Sequence, residues 1–299
     1  MAGTFLVILA CFLWGMDTLI RYPLVESGIP PVTIVFFEHI LLTTFFSLRL
    51  LPAIKRIGEL KLADVFSFIV IGGLGSAVAT VAFTEAFEIL NPSLVILLQK
   101  LQPLVAITLS ALILKEEIQK QFLLWAFICM VGGLLISWPD IIRFHSLITS
   151  NYDTFTTDAA LRGYGMVGLS ILGWGAATVF GKRLSMVGFD TRSIMGGRFF
   201  IGLLVLLPFA WNMPMTLPLN EDYIRILIMV LISGALAMWL YYKGLQRLSA
   251  RTTAIAEMFF PFFAIVVNWI FLGKQLNDWQ LLGGGILIIG SLIIQIKKY

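Results

Sequence analysis

The sequence predicts an all-α polytopic membrane protein, with ten transmembrane helices arranged as two inverted five-helix repeats around a central cavity. Three observations carry this prediction. Of 299 residues, 59% are hydrophobic and only 13% are charged. Apolar stretches of roughly 20 residues, the length that crosses a hydrocarbon core about 30 Å thick, recur along the chain. Two of them, 158 residues apart, set a polar residue one helical turn before a mid-segment proline: Gln99 before Pro103 and Glu257 before Pro261.

The first five stretches cover about 3–20, 33–51, 65–84, 92–114 and 122–138, and the second five cover about 163–181, 193–210, 223–242, 250–272 and 279–296. None alternates apolar and polar residues in segments of about ten, as a membrane β-barrel would. The first stretch lacks a basic leader and runs into Trp14-Gly15-Met16-Asp17 rather than a small-residue cleavage site, so it reads as a retained helix. Between the units, the link at 139–162 carries Pro139, Asp140 and Asp153 and is too small to fold alone. The organisation is therefore a unit over 1–138, an extracytoplasmic link over 139–162 and a unit over 163–299. Cys11 and Cys129 both fall inside apolar spans, which suits small buried hydrophobes rather than a disulfide.

Charge sets the predicted orientation. With the N-terminus in the cytoplasm, the inner links and tail hold 14 of the 21 basic residues. The outer links hold Arg21, Arg143, Arg162 and Lys274, while Lys100, Arg198 and Arg225 lie in spans. The positive-inside rule then places both termini in the cytoplasm, which an even number of spans satisfies. Because the basic residues sort by membrane side, the pI near 9.1 is no sign of nucleic-acid binding.

The two units look like copies of one another. Trp14-Gly15 aligns with Trp174-Gly175, Gly28 with Gly188 and Glu38 with Arg198 at an offset of 160; Pro103 aligns with Pro261 and Gly132 with Gly290 at 158. Ten identities fall in 46 positions when 91–136 is set against 249–294. Five spans per unit invert the second copy, and the charges follow: four basic residues at 49–61 face none at 211–222, and none at 85–91 faces three at 243–251. Inverted repeats with polar groups near the midplane are a mark of secondary transporters.

On these residues the chain resembles the EamA branch of the drug/metabolite transporter superfamily. The resemblance rests on Trp14-Gly15, Arg198-Phe199 and the two proline spans. Each proline span is followed by a short polar link and a glycine-bearing span, Leu114-Lys115-Glu116 then Gly132-Gly133 and Leu272-Gly273-Lys274 then Gly283 to Gly290. It implies that spans 1–4 and 6–9 surround the cavity, with the fifth and tenth peripheral. It also implies export of amino acids, metabolites or drugs from a bacterial inner membrane. Two positions depart from the family pattern: Glu38 stands where a basic residue is usual, and Lys274 where an acid is usual.

Polar residues inside spans are the candidate site, because a charge near the bilayer centre costs about 2.5–3.5 kcal/mol on insertion scales. Lys100 is too deep to snorkel and either meets a substrate carboxylate or phosphate or pairs with Glu257. Glu257 is the candidate to bind an amine, carry a coupling proton or neutralise Lys100. Gln99 and Gln102 either hydrogen-bond substrate or satisfy carbonyls that Pro103 and Pro261 free at Gln99 and Glu257, as hinges or static kinks. Asp17, Glu38, His39, Glu85 and Glu88 are further candidates. Glu38 and His39 point about 100° apart on a helix and are not expected to face one cavity centre, so Glu38 and Glu85 are preferred. Arg198 is expected to pair with an acid or a lipid headgroup rather than with substrate. Trp14, Trp174, Trp239 and Tyr241 suit an aromatic cage, although interface belts use the same residues. Gly72-Gly73-Leu74-Gly75-Ser76 and Gly283-Gly284-Gly285 read as close helix-packing faces.

The chain has no G-x-x-x-x-G-K-[ST] for direct ATP drive, and with only His39 and His145 it has no H-E-x-x-H metal motif. Neither an enzyme nor a cofactor or metal site is expected. The expected function is a secondary transporter that moves an amino acid or related metabolite by alternating access, with a midplane site between spans 4 and 9. A proton-coupled exporter of drugs or lipophilic cations, switching at Glu257 or Asp17, is the alternative. The expected partners are a small-molecule substrate, the lipid bilayer and protons as coupling ion, with the protein a monomer or weak dimer.

Overall fold

The structure, a computed structural model, describes residues 2–54, 60–90, 98–136, 157–211, 220–272 and 277–297, with Val95, Trp138 and Ile142 as isolated positions. For some of these residues, Lys100 and Pro261 among them, only the backbone is described. Every regular element among the described residues is helical. Five helices are long and apolar enough to cross a membrane: Ala2–Glu26, Leu62–Ile89, Leu161–Met186, Thr191–Ala210 and Glu221–Leu245. Four shorter apolar helices accompany them, at Pro31–Phe46, Gln102–Leu114, Lys120–Leu135 and Leu281–Gly290. The protein is thus a polytopic α-helical membrane protein.

Helices α1 (Ala2–Glu26) and α2 (Pro31–Ile54) meet at a turn that recurs between α6 (Thr157–Met186) and α7 (Thr191–Ala210). In the first turn the N–H of Gly28 bonds Val25 O at 2.9 Å and that of Ile29 bonds Leu24 O at 3.3 Å. In the second, Gly188 bonds Ser185 O at 3.2 Å and Phe189 bonds Leu184 O at 3.1 Å. Both follow the Schellman pattern, in which a left-handed residue closes the helix end. Gly28 (φ 86°) and Gly188 (φ 102°) have open space around a would-be Cβ, so backbone conformation alone demands glycine there.

A second matched feature lies in α3 (Leu62–Ile89) and in α8, which runs over Asn220–Met229, Val230–Ala237 and Met238–Leu245. Wide π turns occupy Ile69–Val78 of α3 and Val230–Ala237 of α8, positions that overlap at the offset of 160. The third match is at the proline segments. A 3-10 turn, Gln99–Leu101, leads into α4 (Gln102–Leu114), and α9 (Ala250–Glu257) breaks at Met258 before α10 (Phe259–Leu272). Both irregular turns sit just ahead of the prolines. The Gln99 carbonyl is not freed as expected, because the tighter turn lets it accept from the N–H of Gln102. The Glu257 and Ala256 carbonyls each lie 3.7 Å from the Cys11 thiol, which therefore has a polar contact as well as a packing role.

Helices α1–α4 and α6–α10 pack across one another. α2 lies on α7, α3 on α6 and α7, α4 on α6 and α9, and α1 on α8, α9 and α10. The glycine-rich face of α3 permits this: a Cβ on Gly72 would lie 2.6 Å from Arg198 O, and one on Gly75 2.5 Å from the Cβ of Ala177. Helices α5 (Lys120–Ile136) and α11 (Asp278–Lys297) pack mainly on each other. Arg21 is not in a link, as the charge tally assumed, but buried within α1, and Arg162 likewise falls within a helix, at the start of α6.

Polar ties hold the helix ends. Arg183 at the end of α6 donates to Ala63 O, Asp64 Oδ1 and Ser67 Oγ at 3.0, 2.8 and 2.9 Å. Glu116, after α4, accepts from the N–H groups of Ala250 and Arg251 at 2.9 and 3.3 Å and so caps α9, alongside its N-cap Ser249. Arg162 pairs with Glu85 at the opposite end of α6. Of the expected link at 139–162, the last six positions belong to α6, which starts at Thr157; apart from Ile142 the rest lies outside the described residues, as do 212–219 and the stretch around Lys274.

The positive φ at Gly188 has a measurable consequence. Gly188→Ala should lower thermal stability in detergent by about 1–2 kcal/mol. Gly168→Ala, in mid-helix with open space at the new methyl group, should be neutral or slightly stabilising. Equal melting of both variants would show that the turn tolerates a side chain.

Candidate functional site

The chain aims polar and aromatic residues inward along helical stripes. Trp14, Asp17, Thr18 and Arg21 on α1, Ser76, Thr80 and Phe83 on α3, and Trp174 and Thr178 on α6 recur at intervals of three and four. With Glu38 and His39 (α2), Arg198 and Phe199 (α7), and Ser233, Met238 and Tyr241 (α8), they enclose one cavity. Gln99, Gln102, Glu257 and Phe260 complete its wall at the interrupted segments. The cavity has a volume of about 170 Å³, enough for roughly half a dozen waters and so for a small organic solute.

One side of the cavity holds a buried ion triad. Arg21 Nε donates to Asp17 Oδ2 at 2.7 Å, while its Nη2 reaches Asp17 Oδ1 at 3.2 Å and Glu38 Oε2 at 3.1 Å. The Ser233 hydroxyl adds a 2.6 Å hydrogen bond to Asp17 Oδ1, and Trp14 Nε1 donates to Ser233 O at 3.3 Å. Both carboxylates thus share one guanidinium, which fits the cost of leaving either charge unpaired in the membrane.

Glu257 is held quite differently. Gln102 Nε2 donates to its Oε2 at 2.5 Å, and Oε1 accepts from Tyr241 Oη at 2.9 Å and Thr178 Oγ1 at 3.1 Å. No lysine or arginine nitrogen among the described residues lies within 4 Å of it. The expected Lys100–Glu257 pair involves a side chain outside the described residues. Gln99 is buried and donates weakly to Ser170 Oγ at 3.4 Å.

His39 places Nδ1 2.8 Å from Val35 O, which can only accept, so Nδ1 carries the proton. Its Nε2 lies 3.0 Å from Ser76 Oγ. Both Glu38 and His39 line the cavity, contrary to expectation. The cavity runs along α2 widely enough for two side chains about 100° apart to border it, one facing Arg21 and the other facing Ser76.

Aromatic rings make the remaining surface. Trp14 leans on Tyr241 at 5.3 Å and Trp174 on Phe83 at 5.0 Å between centroids. Trp239 does not join them; it is 38% exposed, with the Lys243 ammonium 5.8 Å from its ring centroid. Glu85 is also excluded from the cavity, because the end of α3 carries it outward to Arg162. Arg198 meets no acid among the described residues: Nη1 donates to Tyr242 Oη at 3.1 Å and Nη2 to Gly75 O at 2.9 Å. Among the described residues no group of three His, Cys, Asp or Glu is placed to hold a metal ion.

Arg21, Thr178, Ser233 and Phe83 went unrecognised in the sequence. The spacing of Arg21 four residues after Asp17, and of Thr178 four after Trp174, put each on the face of a chosen residue and was the available signal.

Comparison with known proteins agrees with this architecture. A relative from Fusobacterium nucleatum subsp. nucleatum, named riboflavin transporter ImpX, is 28% identical over 99% of this chain and 97% of its own length. A crystal structure only 13% identical superposes with a TM-score of 0.71 over 98% of this chain and 96% of that one, a likeness of fold. The EamA-like transporter family matches twice, over residues 1–138 and 161–296. With nearly its whole length matched, the chain belongs to the EamA-like transporter family and is a transporter rather than an enzyme.

Proposed function

We propose that this chain is a secondary transporter for a flat heteroaromatic solute of the riboflavin kind, moved by alternating access through the central cavity. The observation that carries the proposal is the cavity wall itself. Trp14, Phe83, Trp174, Phe199, Tyr241 and Phe260 surround a space whose remaining wall is mostly hydrogen-bonding side chains, with Ala177, Gly234 and Met238 among them. Stacked rings favour planar aromatic substrates, and the polar groups suit a solute with a heterocyclic edge and hydroxyls. The relative named as a riboflavin transporter supports the same class.

The transport cycle we infer uses ten spans in two inverted repeats, with both termini cytoplasmic in a bacterial inner membrane. Support for the repeat comes from the two separate family matches, the paired Schellman turns, the paired π segments and the paired breaks before Pro103 and Pro261. In this reading the site lies where the start of α4 approaches the end of α9, between Gln102 and Glu257. The two irregular turns are the hinges.

An amino acid or related metabolite, exported rather than imported, is the second reading. It is favoured by the opposite charges of Arg198 and Glu257 in one cavity, which suit a zwitterion. A lipophilic-cation exporter switching at Asp17 is less well supported, since Arg21 and Ser233 already occupy both oxygens of that carboxylate.

Counterflow in proteoliposomes discriminates among these substrates. Preloaded riboflavin should drive saturable uptake of labelled riboflavin, while amino acids and lipophilic cations should drive little. The reverse pattern would replace this substrate class by one of the others. Trp174→Ala should raise the riboflavin KM about 2- to 10-fold, the worth of one aromatic contact; an unchanged KM would remove that ring from the site. Glu257→Gln should leave measurable flux and abolish its response to an imposed ΔpH. A retained response would assign proton coupling elsewhere.

A further inference from the structure

The two arginines that border the cavity differ in how their charge is met. Arg21 is neutralised by two carboxylates. Arg198 is equally buried, 6% exposed, yet no carboxylate oxygen among the described residues lies within 4 Å of it. Its described partners, the Tyr242 hydroxyl and the Gly75 carbonyl, are neutral, and its Nε has none. A guanidinium has five N–H groups, and these contacts use two of them. Glu38 and Glu257 border the same cavity but stay beyond contact distance.

A cation fixed inside a membrane protein without an adjacent counter-charge is costly. Here it is held rather than hidden. Gly72 lets α3 close on the Arg198 backbone, and Gly75 and Tyr242 orient the guanidinium without cancelling its charge. The planar fork that results is suited to two neighbouring acceptor atoms on a flat solute.

We propose that Arg198 receives the hydrogen-bond-acceptor edge of the transported solute, a ring carbonyl of an imide or a carboxylate, and so fixes which end of the solute faces α7. The assignment rests on the transport reading above and deepens it. A solute whose acceptor edge is missing loses this interaction, while the aromatic wall still holds its ring.

Flavin fluorescence quenching by the purified full chain, paired with counterflow in proteoliposomes, tests the assignment. The probes are riboflavin and its 2-thio and 4-thio analogues, in which sulfur, a poor acceptor, replaces one ring carbonyl oxygen; tryptophan and tryptamine form the second arm. In wild type at least one thio analogue should bind about tenfold more weakly than riboflavin, or tryptophan should be carried in preference to tryptamine. The first result identifies an imide edge and the second a carboxylate. Arg198→Gln should weaken the favoured member at least about tenfold and leave its partner nearly unchanged, erasing the preference. If Arg198→Gln does not fold, Arg198→Lys serves: it keeps the charge, loses the fork and should narrow the preference. Tyr242→Phe, which removes one of the two contacts that orient Arg198, should narrow the preference without erasing it. Equal weakening of both members, or unchanged affinity for the favoured one, overturns the assignment. Wild-type protein that carries neither riboflavin nor tryptophan overturns the transport reading itself, and the assignment with it.

Discussion

Arg21 is the pin on which the cavity depends. Its guanidinium joins Asp17 on its own helix to Glu38 on α2, and Asp17 in turn receives Ser233 from α8. Three helices from different parts of the chain are therefore fixed to one buried charge. Removing one member of such a buried cluster leaves another charge uncompensated, a cost of about 3–5 kcal/mol in proteins generally. Apolar packing around it, by Leu24, Ile34 and Met229, sets spacing but has no directional preference. The triad supplies the direction.

Against that fixed side, the opposite wall is held by neutral donors. Glu257 rests on Tyr241, Thr178 and Gln102, from three different elements, none of them charged. Hydrogen bonds of this kind exchange partners at less cost than ion pairs, so a solute or a proton can enter the set at modest cost. The division of labour fits the proposed transport reading: ionic contacts where the helices stay together, and exchangeable ones where a solute would bind and leave.

Much of this was legible from residue spacing. The positions of Trp14, Trp174, Gln99, Gln102, Tyr241 and Glu257 around one cavity follow from apolar periodicity and from the two prolines, because polarity inside an apolar run has few tolerable destinations. What could not be read was partner choice. Glu85 looked like Glu38 in sequence, yet one ends a helix beside Arg162 and the other faces Arg21 across a helix packing that only tertiary structure defines. Arg21 itself lay past the apolar run of its span and so resembled a loop residue. Helix α1 in fact continues to Glu26 and keeps it inside. Arg198 was expected to pair with an acid or a lipid headgroup. The neutral Tyr242 and Gly75 carbonyl that hold it come from distant segments.

Helix α9 is only eight residues long and is anchored at both ends by unrelated contacts: Glu116 on its first N–H groups and the donors around Glu257 on its last residue. At 1.5 Å per residue it is a stiff rod of about 12 Å, too short to bend and too short to absorb a phase error. Gain or loss of a single residue within it would turn the carboxylate by about 100° and aim it into a neighbouring helix. Its length is therefore a gauge: the rim contact at Glu116 and the chemistry at Glu257 are kept in register by counting residues, not by any direct bond between them.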